Sequence, residues 1–330
     1  MYLYIDKPNV DALIGARKNQ LYNDCIKTIK KQLNVFFNFS KKELKGNEPL
    51  LAWFQLLVDG VGDANKFIFL DENVFPKRPF EEGCMLQFNE NKLSAIYLVC
   101  DDNIKHLKEI GAVLIGEPGE EINVFNRLFL LQNDYDFHKE VKIGSIELSK
   151  WNDLERYSMP LTDIIFVDSY IITDASLIAS NLIRYIEVLC SNARNKVNIV
   201  LYVNSKNIAL SFALLAQQLK VAIRAVTGHV PNFTLIEYST QRGVDHLGEH
   251  DRTIFTNYLR IKSGDSYNYF KSTGEVCTTG REITYNSLGK KQTHDLAKTL
   301  ISDLQVKIDF LKANNNGIQG DRVSNYLNLK

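Results

Sequence analysis

The stretch EHDRTIFTNYLRIKSGDSYN, residues 249–268, places a histidine and an arginine two positions apart. Alternate residues of an extended strand face the same side, so His250 and Arg252 are predicted to share one face. An imidazole that attacks or protonates, beside a cation that holds a phosphate, is the minimum required for phosphodiester chemistry without a metal. The pair therefore predicts a site that handles a phosphodiester.

Further polar residues follow in the same stretch. Asn257 comes five positions after Arg252, and Gly264 comes seven positions after Asn257. Gly264 is expected to let the backbone turn tightly, because glycine adopts conformations that other residues avoid. Ser266 and Asn268 then offer hydrogen bonds to phosphate oxygens. A polar turn between two strands explains the same residues without any chemistry.

The spacing resembles the motif of the phospholipase D-like superfamily, H-x-K-x(4)-D followed by a turn of the type G-S-x-N. In this sequence Arg252 stands in place of the lysine and Asn257 in place of the aspartate, and Asp265 is an extra residue in the turn. Arginine keeps the charge but changes the donor geometry, whereas asparagine removes a carboxylate. The resemblance covers residues 163–270, and VDSYI at 167–171 is similar to the strand end that opens the family's repeat.

The resemblance implies chemistry through a phosphohistidine, without a metal or a cofactor. By this analogy His250 is the nucleophile or the general acid, and Arg252 holds the phosphate. Three side chains are supporting donors: Asn257, Ser266 and Asn268. Because the sequence contains one such motif, the second histidine is expected from another copy of the chain across a two-fold interface, which predicts a homodimer.

Two further pairs of residues are expected around this motif. Asp168 and Tyr170, at the end of a buried strand, are predicted to support the site. Arg260 and Lys262 lie among aromatic residues, and outward-facing side chains of this kind bind nucleic acid by stacking on bases and contacting phosphates. Most of the aromatic residues are nevertheless expected to belong to the core.

Two histidine patterns suggest a metal site as an alternative. His246 and His250 are four residues apart with a glutamate between them, which on a helix suits zinc. Gly248 favours a loop instead, and no third ligand is evident. The doublet of His294 and Asp295 lies in a helical pattern and is expected to be solvated helix surface.

A second nuclease hypothesis concerns the N-terminal half. Asp6, Asp71 and the pair Asp101 and Asp102 each follow an apolar run that is typical of a buried strand. Carboxylates at the carboxyl ends of parallel strands can bind a divalent cation, and the opening YLYIDKPNVDALI is similar to that of PIN-type nucleases. Pro8 interrupts the usual spacing, and acidic loops at strand ends are common in α/β proteins.

The elements that must position these residues alternate between strands and helices, which predicts an α/β fold. We expect a mixed or parallel sheet flanked by helices, with an N-terminal α/β domain at 1–150 and a phospholipase D-like half-fold at 151–330. In the second domain the expected elements are strands at 163–172, 196–204, 232–239 and 252–261, helices at 175–192, 208–226 and 290–313, and an Asn/Gly-rich C-terminal loop.

Composition limits the class of function. Lysine and arginine together number 39, as do aspartate and glutamate, so overall basicity does not indicate a nucleic-acid partner. The five cysteines form no C-x-x-C pair, which indicates reduced thiols and a cytoplasmic location. Neither a signal peptide nor an apolar run long enough to cross a membrane is recognised, so no membrane partner is expected.

The expected function is that of a metal-independent phosphodiesterase, a nuclease in preference to a lipid hydrolase, acting as an effector in a bacterial restriction or antiphage defence system. The defence role is an analogy drawn from the resemblance. The alternative is a catalytically inactive relative that binds nucleic acid, either DNA or RNA, or serves as a scaffold subunit of a defence complex.

Overall fold

The computed structural model describes residues 2–71, 95–98, 138–158, 161–193, 196–203, 211–237, 252–277, 281–288, 291–313 and 317–330. Five residues named above lie outside these ranges: Asp101, Asp102, His246, Gly248 and His250. The chain divides into two compact units, Met1–Phe137 with Ser287–His294 and His138–Asn286 with Asp295–Lys330. Both units contain a β-sheet with helices, so the fold is mixed α/β as expected.

The first unit contains, within the described residues, a parallel sheet in the strand order β3-β2-β1-β4. Short apolar runs such as YLYI and NVFF form its strands, because strands of a parallel sheet are buried on both faces. The ring of Phe37 packs against the rings of Phe39, Trp53 and Phe69. The elements are β1 (Tyr2–Ile5), α1 (Lys7–Gly15), α2 (Gln20–Gln32), β2 (Asn34–Phe37), α3 (Lys41–Lys45), α4 (Glu48–Val58), a 3₁₀ turn (Ala64–Lys66), β3 (Phe67–Ile68) and β4 (Ala95–Leu98).

The second unit has a sheet whose described strands are ordered β12-β8-β7-β6-β9-β10-β11-β5. β6, β7 and β8 are parallel and lie in its centre, whereas β9 is antiparallel to β6. The strands predicted near 163, 196 and 232 are confirmed, but the first ends at Val167 and not at residue 172. The strands are β5 (His138–Lys142), β6 (Asp163–Val167), β7 (Asn198–Val203), β8 (Asn232–Glu237), β9 (Arg252–Thr256), β10 (Leu259–Ser263), β11 (Glu282–Ser287) and β12 (Ile318–Gly320).

The helices of the second unit include one with an irregular middle. Asp174 caps its start, since its side chain accepts a hydrogen bond from the Ser176 backbone N–H. A π-helical turn then interrupts it, a feature that occurs frequently at functional sites. The elements are a 3₁₀ segment (Trp151–Tyr157), α5 (Ala175–Ile178), the π-helical segment (Ala179–Ile183), α6 (Arg184–Cys190), α7 (Phe212–Thr227) and α8 (Lys291–Ala313).

Residues 252–261 belong to a hairpin, so the prediction of one continuous strand is wrong. β9 and β10 are separated by Asn257 and Tyr258 and are antiparallel. The Thr256 Oγ1 atom accepts hydrogen bonds from the backbone N–H groups of Tyr258 and of the first residue of β10, which closes the turn without glycine or proline. The start of β9 therefore lies beside the end of β10.

The C-terminal segment was expected to be a loop, and this prediction is wrong in part. Residues 318–320 form β12, which pairs antiparallel with the edge of β8. Gly320 has a positive φ of 104°, and a Cβ atom at this position would lie 2.1 Å from the Phe233 carbonyl oxygen. Glycine is therefore required for close approach to β8, a role that loop-like composition does not reveal.

Candidate functional site

Asp168 connects two segments that are distant in sequence. It follows the last residue of β6 and is completely buried. Its Oδ1 atom accepts a hydrogen bond from the Tyr170 N–H at 2.9 Å. Its Oδ2 atom accepts one from the Ser266 hydroxyl at 2.9 Å and one from the Tyr267 N–H at 3.0 Å. The carboxylate thereby fixes the segment after β10 to the end of β6.

The electrostatics of Asp168 combine two opposing effects. Burial raises the pKa of its carboxyl group, because the ionised form loses hydration in the interior. The three hydrogen bonds and the positive charge of Arg252 act in the opposite direction. Asp168 and Arg252 are therefore electrostatic partners at one end of the central strands.

Arg252, the first residue of β9, lies between Tyr170 and the end of β10. Its guanidinium carbon is 5.2 Å from the centroid of the Tyr170 ring, and that tyrosine is 48% exposed. Its Nη1 atom donates a hydrogen bond to the Gly264 carbonyl oxygen at 3.2 Å. The aromatic ring and the carbonyl oxygen position this partly exposed cation at one end of the central strands.

Ser266 and Asn268 shape this loop through contacts within the protein. The Ser266 hydroxyl donates to Asp168, and the Asn268 Nδ2 atom donates to the Tyr170 carbonyl oxygen at 3.1 Å and to the Ser266 hydroxyl at 3.3 Å. The Asn268 Oδ1 atom is buried and has no hydrogen-bond partner within the part of the chain that is described. Both side chains lie where the sequence predicted, but their donors face the protein.

Gly264 does not have the backbone conformation expected of it. Its φ lies outside the left-handed region, and a Cβ atom at this position would meet no other atom within 4 Å. The expectation that glycine is needed here for a tight turn is therefore wrong. Gly264 instead contributes its carbonyl oxygen, which any residue could supply.

We call the group formed by these residues the Arg252 site. It comprises Asp168, Tyr170, Arg252, Gly264, Ser266 and Asn268. The structure brings together residues from two segments that the sequence had linked only through a motif resemblance. The arrangement can bind an anion at a cation whose position is fixed from both sides.

Asn257 lies at the opposite end of β9, about 16 Å away for five residues of extended chain. Its Oδ1 atom accepts hydrogen bonds from the backbone N–H groups of Thr162 and Asp163, at 2.9 and 3.2 Å. Its Nδ2 atom donates to the Thr162 hydroxyl and to the Tyr326 hydroxyl. The structure therefore does not bring Asn257 to the Arg252 site, and it gives this side chain a structural role.

Arg260 and Lys262 point away from the Arg252 site. In the hairpin register they pair with Phe255 and Thr253, and directly paired residues point to the same face of a sheet. Arg252 lies on the other face, because successive residues of a strand alternate. Arg260 is also only 6% exposed, which does not suit the expected contact with nucleic acid.

Asn181 is a positioning residue that the sequence did not reveal. It is completely buried in the π-helical segment. Its Oδ1 atom accepts hydrogen bonds from the N–H groups of Tyr269 and Phe270, both at 2.9 Å, and its Nδ2 atom donates to the Phe270 carbonyl oxygen at 2.7 Å. A single asparagine within an apolar helical run was the only signal in the sequence.

The histidine predictions have different outcomes. His250 lies outside the described residues, so its catalytic role stays a prediction. His246 lies outside the described residues as well, so the zinc alternative also stays a prediction. His294 is only 9% exposed, so the expectation of a solvated surface is wrong for this residue, whereas Asp295 is exposed.

The acidic residues of the first unit do not form a metal site in the described part of the chain. Asp6 is buried and accepts hydrogen bonds from the backbone N–H and the Nδ2 atom of Asn9. Asp71 accepts a hydrogen bond from the Lys41 N–H at 2.9 Å. Among the described residues, no group of three or more His, Cys, Asp or Glu side chains is arranged to hold a metal ion.

Comparisons with known proteins do not add to this description. No protein-family model matches the chain, and a search of curated proteins returns no match. None of the described helices combines the length and the apolar character that a membrane span requires. The function must therefore be argued from the geometry of the Arg252 site.

Proposed function

We propose that the second unit is a metal-independent phosphodiesterase of the phospholipase D-like type that acts on nucleic acid. Arg252 is the residue that holds the phosphate, and His250, two positions earlier in the sequence, is the nucleophile or the general acid. One observation carries this proposal, namely the convergence of Arg252, Tyr170 and the loop after β10 around the buried Asp168.

The chemistry of the arginine supports a phosphate ligand. A guanidinium presents five N–H donors in a planar fork that matches phosphate oxygens. The Tyr170 ring and the Gly264 carbonyl hold this fork in position, which lowers the entropy that is lost when a ligand binds. The buried carboxylate of Asp168 orders the same loop, so the binding groups are fixed before the ligand arrives.

The paired histidine required by this chemistry is part of the proposal. In a phospholipase D-like mechanism one histidine attacks phosphorus and a second protonates the leaving oxygen. The chain carries one motif of this kind, so the proposed enzyme is a homodimer in which each copy supplies one His250. Its proposed setting is a bacterial defence system, where it acts as the effector nuclease.

The test is cleavage of single- and double-stranded DNA and RNA in the presence of EDTA. The proposal expects cleavage by the wild type and at least a hundredfold loss in His250→Ala, because proton transfer or nucleophilic attack is removed. Arg252→Ala should lose a similar amount, and Arg252→Lys should recover part of it. Cleavage that requires Mg²⁺ and persists in His250→Ala would contradict the proposal.

Two substitutions provide matched controls for this experiment. His229 and Arg224 are exposed and lie near the start of β8, at the opposite end of the parallel strands from Arg252. His229→Ala and Arg224→Ala remove the same chemical groups without touching the Arg252 site. Both variants should cleave as the wild type does.

A second candidate function is a binding subunit without catalysis. Three of the residues expected to support a substrate, Asn257, Ser266 and Asn268, direct their donors to groups of the protein itself. Because these donors are engaged within the protein, they favour a phospholipase D-like protein that keeps the fold and the cation but does not cleave its ligand. Binding of nucleic acid that depends on Arg252, with no cleavage under any condition, would support this candidate over the first.

A further inference from the structure

A pocket of about 390 Å³ lies in the second unit, beside the loop that carries the Arg252 site. Its polar lining includes Lys150, Asn152, Ser176, Arg184, Ser272 and Thr273. We propose that this pocket binds one nucleotide unit of a single-stranded nucleic acid whose phosphodiester lies at the Arg252 site. The inference rests on the proposed function and extends it to a substrate class.

The pocket and the Arg252 site are joined by two short segments. Gly264 accepts a hydrogen bond from Arg252, and Phe270, six residues later, lines the pocket. Tyr170 contacts Arg252, and Ser176, also six residues later, lines the pocket. Six residues of fully extended chain span at most about 20 Å. A nucleic-acid strand places several phosphates within that distance, so one strand can reach both places.

The size and chemistry of the lining suit a nucleotide better than a small ion. Volumes of about 300 to 1,000 Å³ are typical of pockets for small organic ligands. Trp151, Ala179 and Phe270 form the apolar part of the lining. Two residues, Lys150 and Arg184, are cationic, and none of the described lining residues is acidic. This combination can take a base or a sugar against the apolar part and a phosphate at the cations.

The apolar part of the pocket is rigid. The Trp151 ring stacks on Tyr185 with centroids 4.4 Å apart, and its Nε1 atom donates to the Ser180 carbonyl oxygen at 2.9 Å. Phe270 meets the same ring edge to face at 5.2 Å. A preformed surface of this kind loses little conformational freedom on binding, which favours a specific ligand.

Two backbone irregularities shape the pocket. Ala179 and Ser180, which line it, are the first residues of the π-helical segment, and Asn181 in the same segment fixes the adjoining loop at Phe270. Gly274 turns the chain back with a φ of 86° and contributes to the rim. Irregular backbone that is held by buried hydrogen bonds is frequent where a ligand binds.

The charge at the rim is accessible to a ligand. Arg184 pairs with Glu187 at 2.7 Å, but its side chain is more than half exposed. An exposed pair three residues apart on a helix is weak, so a phosphate can replace the carboxylate as the partner. Lys150 is likewise exposed. We infer a single strand because its bases enter a pocket without the cost of unpairing and unstacking a duplex.

The test measures the affinity of a fluorescently labelled single-stranded oligonucleotide for the full chain. All variants carry His250→Ala so that the strand stays intact. The pocket variant is Lys150→Glu with Arg184→Glu, and the matched control, Arg224→Glu with Lys298→Glu, changes net charge equally at exposed positions elsewhere. We expect the pocket variant to bind about tenfold more weakly, with a slope of log affinity against log salt that is smaller by about 1 or more. The control should bind within about twofold of the protein that carries His250→Ala alone.

Each alternative outcome has a defined meaning. Equal affinity in the pocket variant and the control overturns the inference, and a normal loss in Arg252→Ala in the same assay then leaves the proposed function intact. A mononucleotide that competes with the strand at equal affinity overturns the assignment to a strand, because the pocket then binds a free nucleotide. Unchanged binding in Arg252→Ala removes the proposed function and the inference with it.

Discussion

The two ends of β6 each carry a buried aspartate, and the comparison shows what a site requires beyond burial. Asp163 begins the strand and Asp168 follows it, and both are almost inaccessible to solvent. Burial raises the pKa of both carboxyl groups, to about 6 for Asp163. Both accept hydrogen bonds from segments distant in sequence. These shared features do not distinguish a binding site from a structural joint.

The difference lies in the neighbouring charge and its exposure. Asp163 accepts hydrogen bonds from neutral groups such as the Asn325 amide and the Ser324 hydroxyl, which belong to the C-terminal tail. Asp168 has the guanidinium of Arg252 and the half-exposed ring of Tyr170 nearby. A phosphate ligand needs a cation that solvent can reach, and the partly exposed Arg252 supplies one beside Asp168.

Replacing Asp168 with alanine is the change with the largest expected effect. It leaves the Ser266 hydroxyl and the N–H groups of Tyr170 and Tyr267 without their acceptor. Because unsatisfied donors in the interior are costly, the free energy of unfolding should fall by about 4 kcal/mol. Urea denaturation measures this change. A loss below about 1 kcal/mol would show that the carboxylate does not join the two segments.

Replacing Asn257 with alanine sharpens the contrast between the two ends. The change removes the acceptor of two backbone N–H groups and the donor to Tyr326, so we expect a loss of about 3 kcal/mol in unfolding free energy. Nucleic-acid affinity, measured below the unfolding transition, should be unchanged because Arg252 lies at the other end. A stable variant that has lost cleavage would instead place Asn257 among the catalytic residues.

The buried carboxyl group of Asp163 should make the free energy of unfolding depend on pH. The pKa of this carboxyl is about 6 in the folded protein and 3.8 in its ordinary state. Between these values the folded state binds more protons, so the contribution of Asp163 is greatest at low pH and is lost as the pH rises through 6. We expect a loss of about 2 kcal/mol from pH 4 to pH 7.

Asp163→Asn isolates this contribution. Urea denaturation at intervals between pH 4 and pH 7 should give a difference between wild type and variant that changes with pH in this window. Asp168 has a raised pKa and Asp321 a lowered one, but both groups are common to the two proteins and cancel in the difference. A difference in unfolding free energy between wild type and variant that stays constant from pH 4 to pH 7 would contradict the assignment of this pH dependence to Asp163.

Replacing Gly264 with alanine should have the smallest effect. Its φ is ordinary, and a Cβ atom would meet no atom within 4 Å. The carbonyl oxygen that contacts Arg252 remains, so unfolding free energy should stay within about 0.5 kcal/mol of the wild type. Affinity for nucleic acid should be unchanged. A large loss of either would mean that the loop needs glycine, as the motif resemblance implied.

The sequence predicts the central strands of the second unit better than it predicts the turns and the site residues. The segments 163–167, 198–203 and 232–237 are buried strands because apolar residues dominate them. The hairpin at 252–263 was missed because a threonine hydroxyl, and not glycine or proline, closes its turn. The motif resemblance alone placed Asn257 with Arg252, although the full length of β9 separates the two residues.

The pocket could not be predicted from the sequence for a different reason. Its lining comes from segments near 150, 180 and 272, none of which forms a motif. Only the folded chain brings Lys150 within one pocket with Arg184, and only the π-helical turn sets the position of Ser180. Sites assembled from ordinary residues at large sequence separation leave no local pattern to read.

The central claim is that Arg252, the partly exposed cation at the Asp168 end, binds a phosphate, and the salt dependence of binding tests it most directly. The affinity for single-stranded nucleic acid should be measured over a range of salt concentrations for Arg252→Ala and for its matched control Arg224→Ala. We expect Arg252→Ala to bind about tenfold more weakly, with a salt slope reduced by about 1, and the control to behave as wild type. Identical affinities and slopes for both variants would contradict the claim.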